Sequence, residues 1–178
     1  MTIDQYTDKD SVLEAVKNNG YALEHASKTL RKDLEVIKAA VTKDSWALQF
    51  AIFDENEQTA YIEIVTDAVT DSGYTLRYAS EELKNNPKIV EAAVKNYGMA
   101  LGYASKELRN NPEIVEAAVT KDGLVLQYAS DGLKNNLEIV KAAVTNNSRA
   151  LKYASDGLKE NSEIVEAAKE RNAEELNT

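Results

Sequence analysis

Four strings decide the reading of this chain: Leu76-Arg77-Tyr78-Ala79-Ser80, Leu101-Gly102-Tyr103-Ala104-Ser105, Leu126-Gln127-Tyr128-Ala129-Ser130 and Leu151-Lys152-Tyr153-Ala154-Ser155. Each begins 25 positions after the last. Ile89-Val90, Ile114-Val115, Ile139-Val140 and Ile164-Val165 keep the same step, as do Val69, Val94, Val119 and Val144. Working backwards, Leu48-Gln49-Phe50-Ala51 and Leu23-Glu24-His25-Ala26-Ser27 are earlier copies. Self-similarity at a fixed short period is the signature of a stacked-repeat architecture. One step, from Val41 to Val69, is 28, so one unit carries three additional residues.

Each unit reads as two helical segments. In one copy the first spans about Pro112 to Lys121, with Asn111 placed to N-cap it, Pro112 at the first helical position and Glu113 in the first turn. Ile114, Val115, Ala118 and Val119 form one apolar stripe at i,i+4 spacing, and Ala117 keeps the adjacent surface small. Gly123 suits a left-handed position closing that helix, as do Gly20, Gly73 and Gly98, with Ser45 and Ser148 as exceptions. The second segment, roughly Leu124 to Ala129, turns Leu126 and Ala129 inward. Ser130-Asp131-Gly132-Leu133 then breaks it into a tight or 3₁₀ turn pinned by Leu133, the alternative being a continuous second helix of about ten residues.

One such pair cannot bury its own apolar face, so units must stack. The expected fold is all-α: an α-solenoid of six two-helix repeats of about 25 residues over 12–168, plus a truncated C-terminal capping unit. Residues 1–11 form an N-terminal cap in this reading, and 169–178 a charged C-terminal cap. Ser11 replaces the usual isoleucine of the first unit, and Lys169 the usual valine of the last. Stacking lines up His25, Phe50, Tyr78, Tyr103, Tyr128 and Tyr153 as a ring ladder, read as packing in preference to a ligand site.

The unit Val-x-x-x-Gly-x-x-Leu-x-Tyr-Ala-Ser-x-x-Leu-Lys/Arg-x-Asn/Asp resembles a repeat family catalogued as domain of unknown function 4116, found mainly in bacteria and protists. The resemblance spans Asp10 to about Lys169 and rests on the fixed-spacing Leu-x-Tyr-Ala-Ser string. In that family the residue after the glycine is often tryptophan. Here Trp46 alone keeps it, after Ser45, while Tyr21, Tyr74, Met99, Leu124 and Arg149 fill the other copies. The resemblance implies the helical-repeat fold and carries no established activity.

Chemistry finds little foothold. The 178 residues include no cysteine and one histidine, His25, which sits in the ring ladder, so no zinc cluster and no Cys/His pair is available. Ser27, Ser80, Ser105, Ser130 and Ser155 share one repeat position, which argues for turn or cap geometry and against a unique nucleophile. The glycines are scattered, with Gly20, Gly73, Gly98 and Gly123 at one repeat position, and make no phosphate loop. Asp54-Glu55-Asn56-Glu57-Gln58 begins like a calcium loop, yet Thr59 and Val65 stand where its glycine and its glutamate belong. No catalytic residue, metal or cofactor is expected, and the chain is read as no enzyme. No signal peptide is expected at the start, and no apolar run reaches membrane length. With no cysteine in the chain, a reducing cytoplasm is the expected location, and a monomer the favoured state.

Net charge is −9, unevenly spread. Residues 44–76 hold seven acids and no base, whereas 77–159 hold ten acids and twelve bases. No basic stripe invites nucleic acid directly. The insertion, near 52–60, lies inside the base-free stretch, and Asp67 stands where most units have alanine. Insertions in repeat proteins often fall on the binding face. The insert reads either as a solvated loop or as the edge of a site in which Tyr21, Trp46 and Tyr74 join Asp54, Glu55, Glu57, Asp67 and Asp71 to accept a partner's Lys or Arg. The leading function is thus a protein-interaction scaffold whose partner presents a basic surface. The alternative is an acidic mimic of nucleic acid, of the phage or mobile-element inhibitor type, using the 44–76 patch.

Overall fold

A computed structural model describes residues 8–54, 56 and 58–176, and the side chains of these up to residue 173. The long helices are α1 (Lys9–Asn18), α2 (Leu34–Lys43), α3 (Gln58–Asp71), α4 (Pro87–Asn96), α5 (Pro112–Lys121), α7 (Leu137–Asn146) and α9 (Ser162–Leu176). The one-turn helices α6 (Asp131–Lys134) and α8 (Asp156–Lys159) lie between the last three. Six 3₁₀ helices of six residues alternate with the long ones: Gly20–His25, Ser45–Phe50, Gly73–Tyr78, Gly98–Tyr103, Gly123–Tyr128 and Ser148–Tyr153; two shorter ones, Leu83–Asn85 and Leu108–Asn110, close turns between them. Each long helix packs on the next long helix, and each six-residue 3₁₀ helix on the next one. The molecule is an all-α repeat solenoid of two parallel rows, with its core between them.

The starts of α2, α4, α5 and α7 follow the sequence reading. Asn111 Oδ1 accepts the Ile114 N–H at 3.1 Å ahead of Pro112, and Asn86, Asn136 and Asp33 cap their helices in the same way. The second segment is a 3₁₀ helix of six residues, so the continuous ten-residue alternative does not hold. Its burial fits that geometry. Gly123, Leu126 and Ala129 are buried, as are Gly98, Leu101 and Ala104, and Gly73, Leu76 and Ala79, a step of three that matches three residues per turn, while Val125, Ala100 and Thr75 are buried beside them.

The glycines need a different explanation from the one their spacing suggested. No described residue has a positive φ, glycine included. The closing residue is instead an extended one: Asn19, Asp44, Ser72, Tyr97, Asp122 or Asn147, with φ between −138° and −154°. It ends one helix with its N–H and, in Asn19, Asp44, Asp122 and Asn147, opens the next with its side chain. Glycine follows because the next unit lies against it. A Cβ on Gly123 would stand 2.2 Å from the Ala143 carbonyl oxygen, and one on Gly73 would stand 2.3 Å from that of Ala93.

Polar bonds tie neighbouring units at a constant register. The N–H of Ser105, Ser130 and Ser155 donates to the carbonyls of Lys84, Arg109 and Lys134 at 2.9–3.1 Å. Their hydroxyls donate to Asn85, Asn110 and Asn135 at 2.6 Å while accepting the N–H of Leu108, Leu133 and Leu158. The repeated serines are therefore turn caps, as their single repeat position implied. Asn96 and Asn146 reach back in the same sense, accepting the N–H of Gly73 and Gly123 at 2.8 and 2.7 Å.

The insertion lengthens the helix that follows it. It starts α3 four residues earlier than α4 starts in its own unit, giving 14 residues in place of 10. Tyr61 is fully buried; its hydroxyl donates to the Lys32 carbonyl and accepts the Asp54 N–H, and its ring meets Phe53 edge-on at 5.1 Å. Gln58 takes the place held by Asn85 in the next unit and accepts the Ser80 hydroxyl.

Candidate functional site

The row of 3₁₀ helices carries the surface that departs most from the repeat. The second residue of each 3₁₀ helix follows the extended hinge and faces outward, and in the first three units it is aromatic: Tyr21, Trp46 and Tyr74. Trp46 stacks on Tyr74 with centroids 5.1 Å apart and planes 25° from parallel. Tyr78 meets Trp46 edge-on at 6.4 Å, Tyr103 meets Tyr74 edge-on at 5.6 Å, and Tyr97 tilts against Tyr74 at 6.1 Å. One row earlier, Tyr21 sets its ring edge-on to Phe50 at 5.9 Å. Aromatic pairs favour such offset and edge arrangements because the negative ring face meets a positive edge. Yet Tyr21 (39%), Trp46 (36%) and Tyr97 (39%) remain the large exposed hydrophobic residues among those described.

One cation already sits here. The Arg77 guanidinium lies 5.1 Å from the Tyr74 centroid, 5.2 Å from Tyr78 and 6.0 Å from Tyr103, and it donates to the Tyr74 hydroxyl. That hydrogen bond, outweighing the opposing effect of burial, raises the Arg77 pKa above its ordinary value. Burial, then the hydrogen bond with Tyr74, lifts the Tyr103 phenol. The surface is thus a ring platform that already holds one planar cation, Arg77, by its π faces.

The acids proposed from sequence do not converge on these rings. Asp54 accepts the Asn56 N–H and side-chain amide and pairs with Lys32 at 3.3 Å, and these contacts lower its pKa. Asp67 is exposed on α3, in the long-helix row, within the field of Lys38, which itself pairs with Glu63 at 2.7 Å. Asp71 is exposed at the end of α3, where its carbonyl accepts from Asn96. Glu55 and Glu57 lie outside the described residues. A stretch of sequence without bases is therefore not a surface without bases, because neighbouring units supply Lys32 and Lys38. Of the sequence candidates, the structure unites Trp46 with Tyr74, and sets Tyr21 beside Phe50. Sequence reasoning missed Arg77 and Tyr97. Tyr97 had left a trace: an aromatic ring stands at a hinge position that four other units fill with Asn or Asp.

The family model described as domain of unknown function (DUF4116) matches residues 8–54, 61–109, 111–159 and 138–177. The chain belongs to that family. No curated protein and no solved structure matches it. The first gap between matched stretches, 55–60, falls on the insert, so the DUF4116 pattern is interrupted where α3 gains its extra turn. Trp46, the aromatic residue that the DUF4116 resemblance led one to expect after the turn, stacks on Tyr74, which is at the centre of the ring platform. Among the described residues no helix is long and apolar enough to cross a membrane, and no group of three or more His, Asp or Glu could hold a metal ion.

Proposed function

We propose that this chain is a non-enzymatic protein-interaction scaffold whose partner lays an arginine- or lysine-bearing segment on the ring platform. The observation that carries the reading is Trp46, stacked face to face on Tyr74 at 5.1 Å and still over one-third exposed. Leaving large rings in water forgoes hydrophobic stabilisation of about 1.5–3 kcal/mol per fully buried side chain, and clustered aromatic residues are the usual anchors of protein interfaces. The chain's own Arg77 supports a cationic occupant, since it shows the geometry such a group takes there. Nothing favours the nucleic-acid mimic: Lys32 and Lys38 neutralise part of the patch it needs.

Trp46 is the chain's one tryptophan, so its fluorescence reports the platform directly. Titration with an extended peptide carrying two arginines is expected to change Trp46 emission saturably. Tyr74→Ala and Tyr97→Ala should each weaken that binding, Tyr74→Ala by about 30-fold if it is a true anchor. No saturable change, or equal binding by Tyr74→Ala, defeats the proposal.

A further inference from the structure

A second surface lies at the opposite end of the same row, independent of the ring platform. Each six-residue 3₁₀ helix from Gly20–His25 to Gly123–Tyr128 packs against the next one. Ser148–Tyr153 has no successor among the described residues, because α9 continues as α-helix to Leu176, through Asn172 and Ala173, where earlier units bend at the hinge. The consequence is visible in burial. Leu23, Leu48, Leu76, Leu101 and Leu126 are fully buried, whereas the equivalent Leu151 is only half-buried. Leu158 is half-buried too, while Leu83, Leu108 and Leu133 are buried.

Beside Ser148–Tyr153 lies an open groove of about 470 Å³ lined by Ser148, Arg149, Leu151, Lys152 and Lys159. Its rim is cationic in a chain whose net charge is −9. Lys159 pairs with the exposed Asp156 at 3.0 Å, and Lys152 lies 4.7 Å from the Tyr153 ring centroid. Arg149 and Lys152 have no carboxylate partner among the described residues. A leucine floor beneath three cations matches a ligand that brings one apolar side chain and several carboxylates. α9 already fills the next place in the long-helix row, packed on α7 and on Ser148–Tyr153. A second copy cannot continue both rows here.

We infer that this groove binds a short acidic peptide segment of a partner protein, with a leucine-type side chain on Leu151 and carboxylates on Arg149, Lys152 and Lys159. The segment lies where, among the described residues, no further 3₁₀ helix stacks on Ser148–Tyr153. Specificity comes from both halves: the apolar contact sets register, and the charges steer approach and exclude basic segments.

The test uses the whole chain and a fluorescein-labelled hexapeptide with one central leucine flanked by glutamates, read by anisotropy. Saturable binding that drops about tenfold or more in Arg149→Glu/Lys152→Glu, and that weakens as salt rises, supports the proposal. Circular dichroism checks that the double variant, changed only at exposed side chains, keeps its helices. Binding should also fall when the peptide's leucine is replaced by serine. Tyr74→Ala should bind this peptide normally, which separates the groove from the ring platform. Equal binding by the charge-reversed variant overturns the proposal, as does equal binding of the leucine-free peptide, which would mean general counter-ion attraction. Concentration-dependent dimers abolished by the same double variant would assign the groove to a second copy, and overturn it as well.

Discussion

Gly123→Ala sets two effects against each other, and the structure decides between them. Gly123 has no positive φ, so alanine fits its backbone and, by restricting the unfolded chain, should stabilise the fold by about 0.4–1 kcal/mol. The new methyl group, however, would meet the Ala143 carbonyl oxygen at 2.2 Å and the Asn147 Cβ at 3.1 Å. Both belong to the next unit's backbone or its hinge, so the interface must open by about 1 Å to restore ordinary contact. Overpacking of this kind costs about 1–3 kcal/mol. Opening the interface also stretches the bond from the Gly123 N–H to Asn146 Oδ1 (2.7 Å) and that from Asn146 Nδ2 to the Thr120 carbonyl (2.9 Å), each contributing about 1 kcal/mol. The clash wins, with a net loss of about 2–3 kcal/mol, or about 4–12 °C in Tm for a chain of this size. Gly157 is the internal control: it lies in α8, and a Cβ there would have no neighbouring atom within 4 Å, so Gly157→Ala should gain about 0.5–1 kcal/mol. Urea denaturation followed by far-UV circular dichroism measures both. A Gly123→Ala protein as stable as the parent would refute the close-approach account of the glycines.

Two further predictions concern what holds the first units together. Tyr61→Phe removes a hydroxyl that joins Asp54 to the Lys32 carbonyl inside the core and should cost about 1–2 kcal/mol in the same assay; an unchanged midpoint would mean the insert is held by ring packing alone. Acid should loosen the same region. Burial pushes the Asp33 pKa up, but the Lys9 ammonium and the N–H groups of Val36 and Glu35 more than offset it, and the Asp54 pKa is lowered by Asn56 and Lys32. Carboxyls depressed in the folded state give stability that is complete above about pH 4 and lost as pH falls through the folded values. The urea midpoint should therefore fall between about pH 4 and pH 2, and less steeply in Asp33→Asn; an equal slope in that variant would remove Asp33 from the explanation.

Much of the architecture was legible because the repeat speaks six times. Asn111-Pro112 announced a helix start, and the common register of Ser80, Ser105, Ser130 and Ser155 announced a cap. The 3₁₀ segment was readable in principle from Gly-x-x-Leu-x-x-Ala, a period of three. A six-residue window is short, though, and the glycine drew attention to backbone freedom when its meaning lay in the neighbouring unit. That distance, from Gly123 to Ala143, is invisible to local reasoning. The same limit governed the candidate site. Trp46 and Tyr74 could be placed side by side from the period alone, but Asp54 and Glu63 looked unpartnered because Lys32 and Lys38 stand 22 and 25 residues upstream. Folding into stacked units mixes charges that the linear sequence keeps apart.

The serine bonds between units have a consequence for how such a chain can grow. Ser105, Ser130 and Ser155 each reach the carbonyl 21 residues before them, so a duplicated block of 25 residues arrives with both halves of its joints already cut to fit. Whole-block copying between Gly98 and Tyr153 would lengthen the rod without redesigning a seam. The 28-residue block is different, for its joint is closed by Gln58 and Tyr61 in place of the usual asparagine, and it can mate only with the neighbours it has.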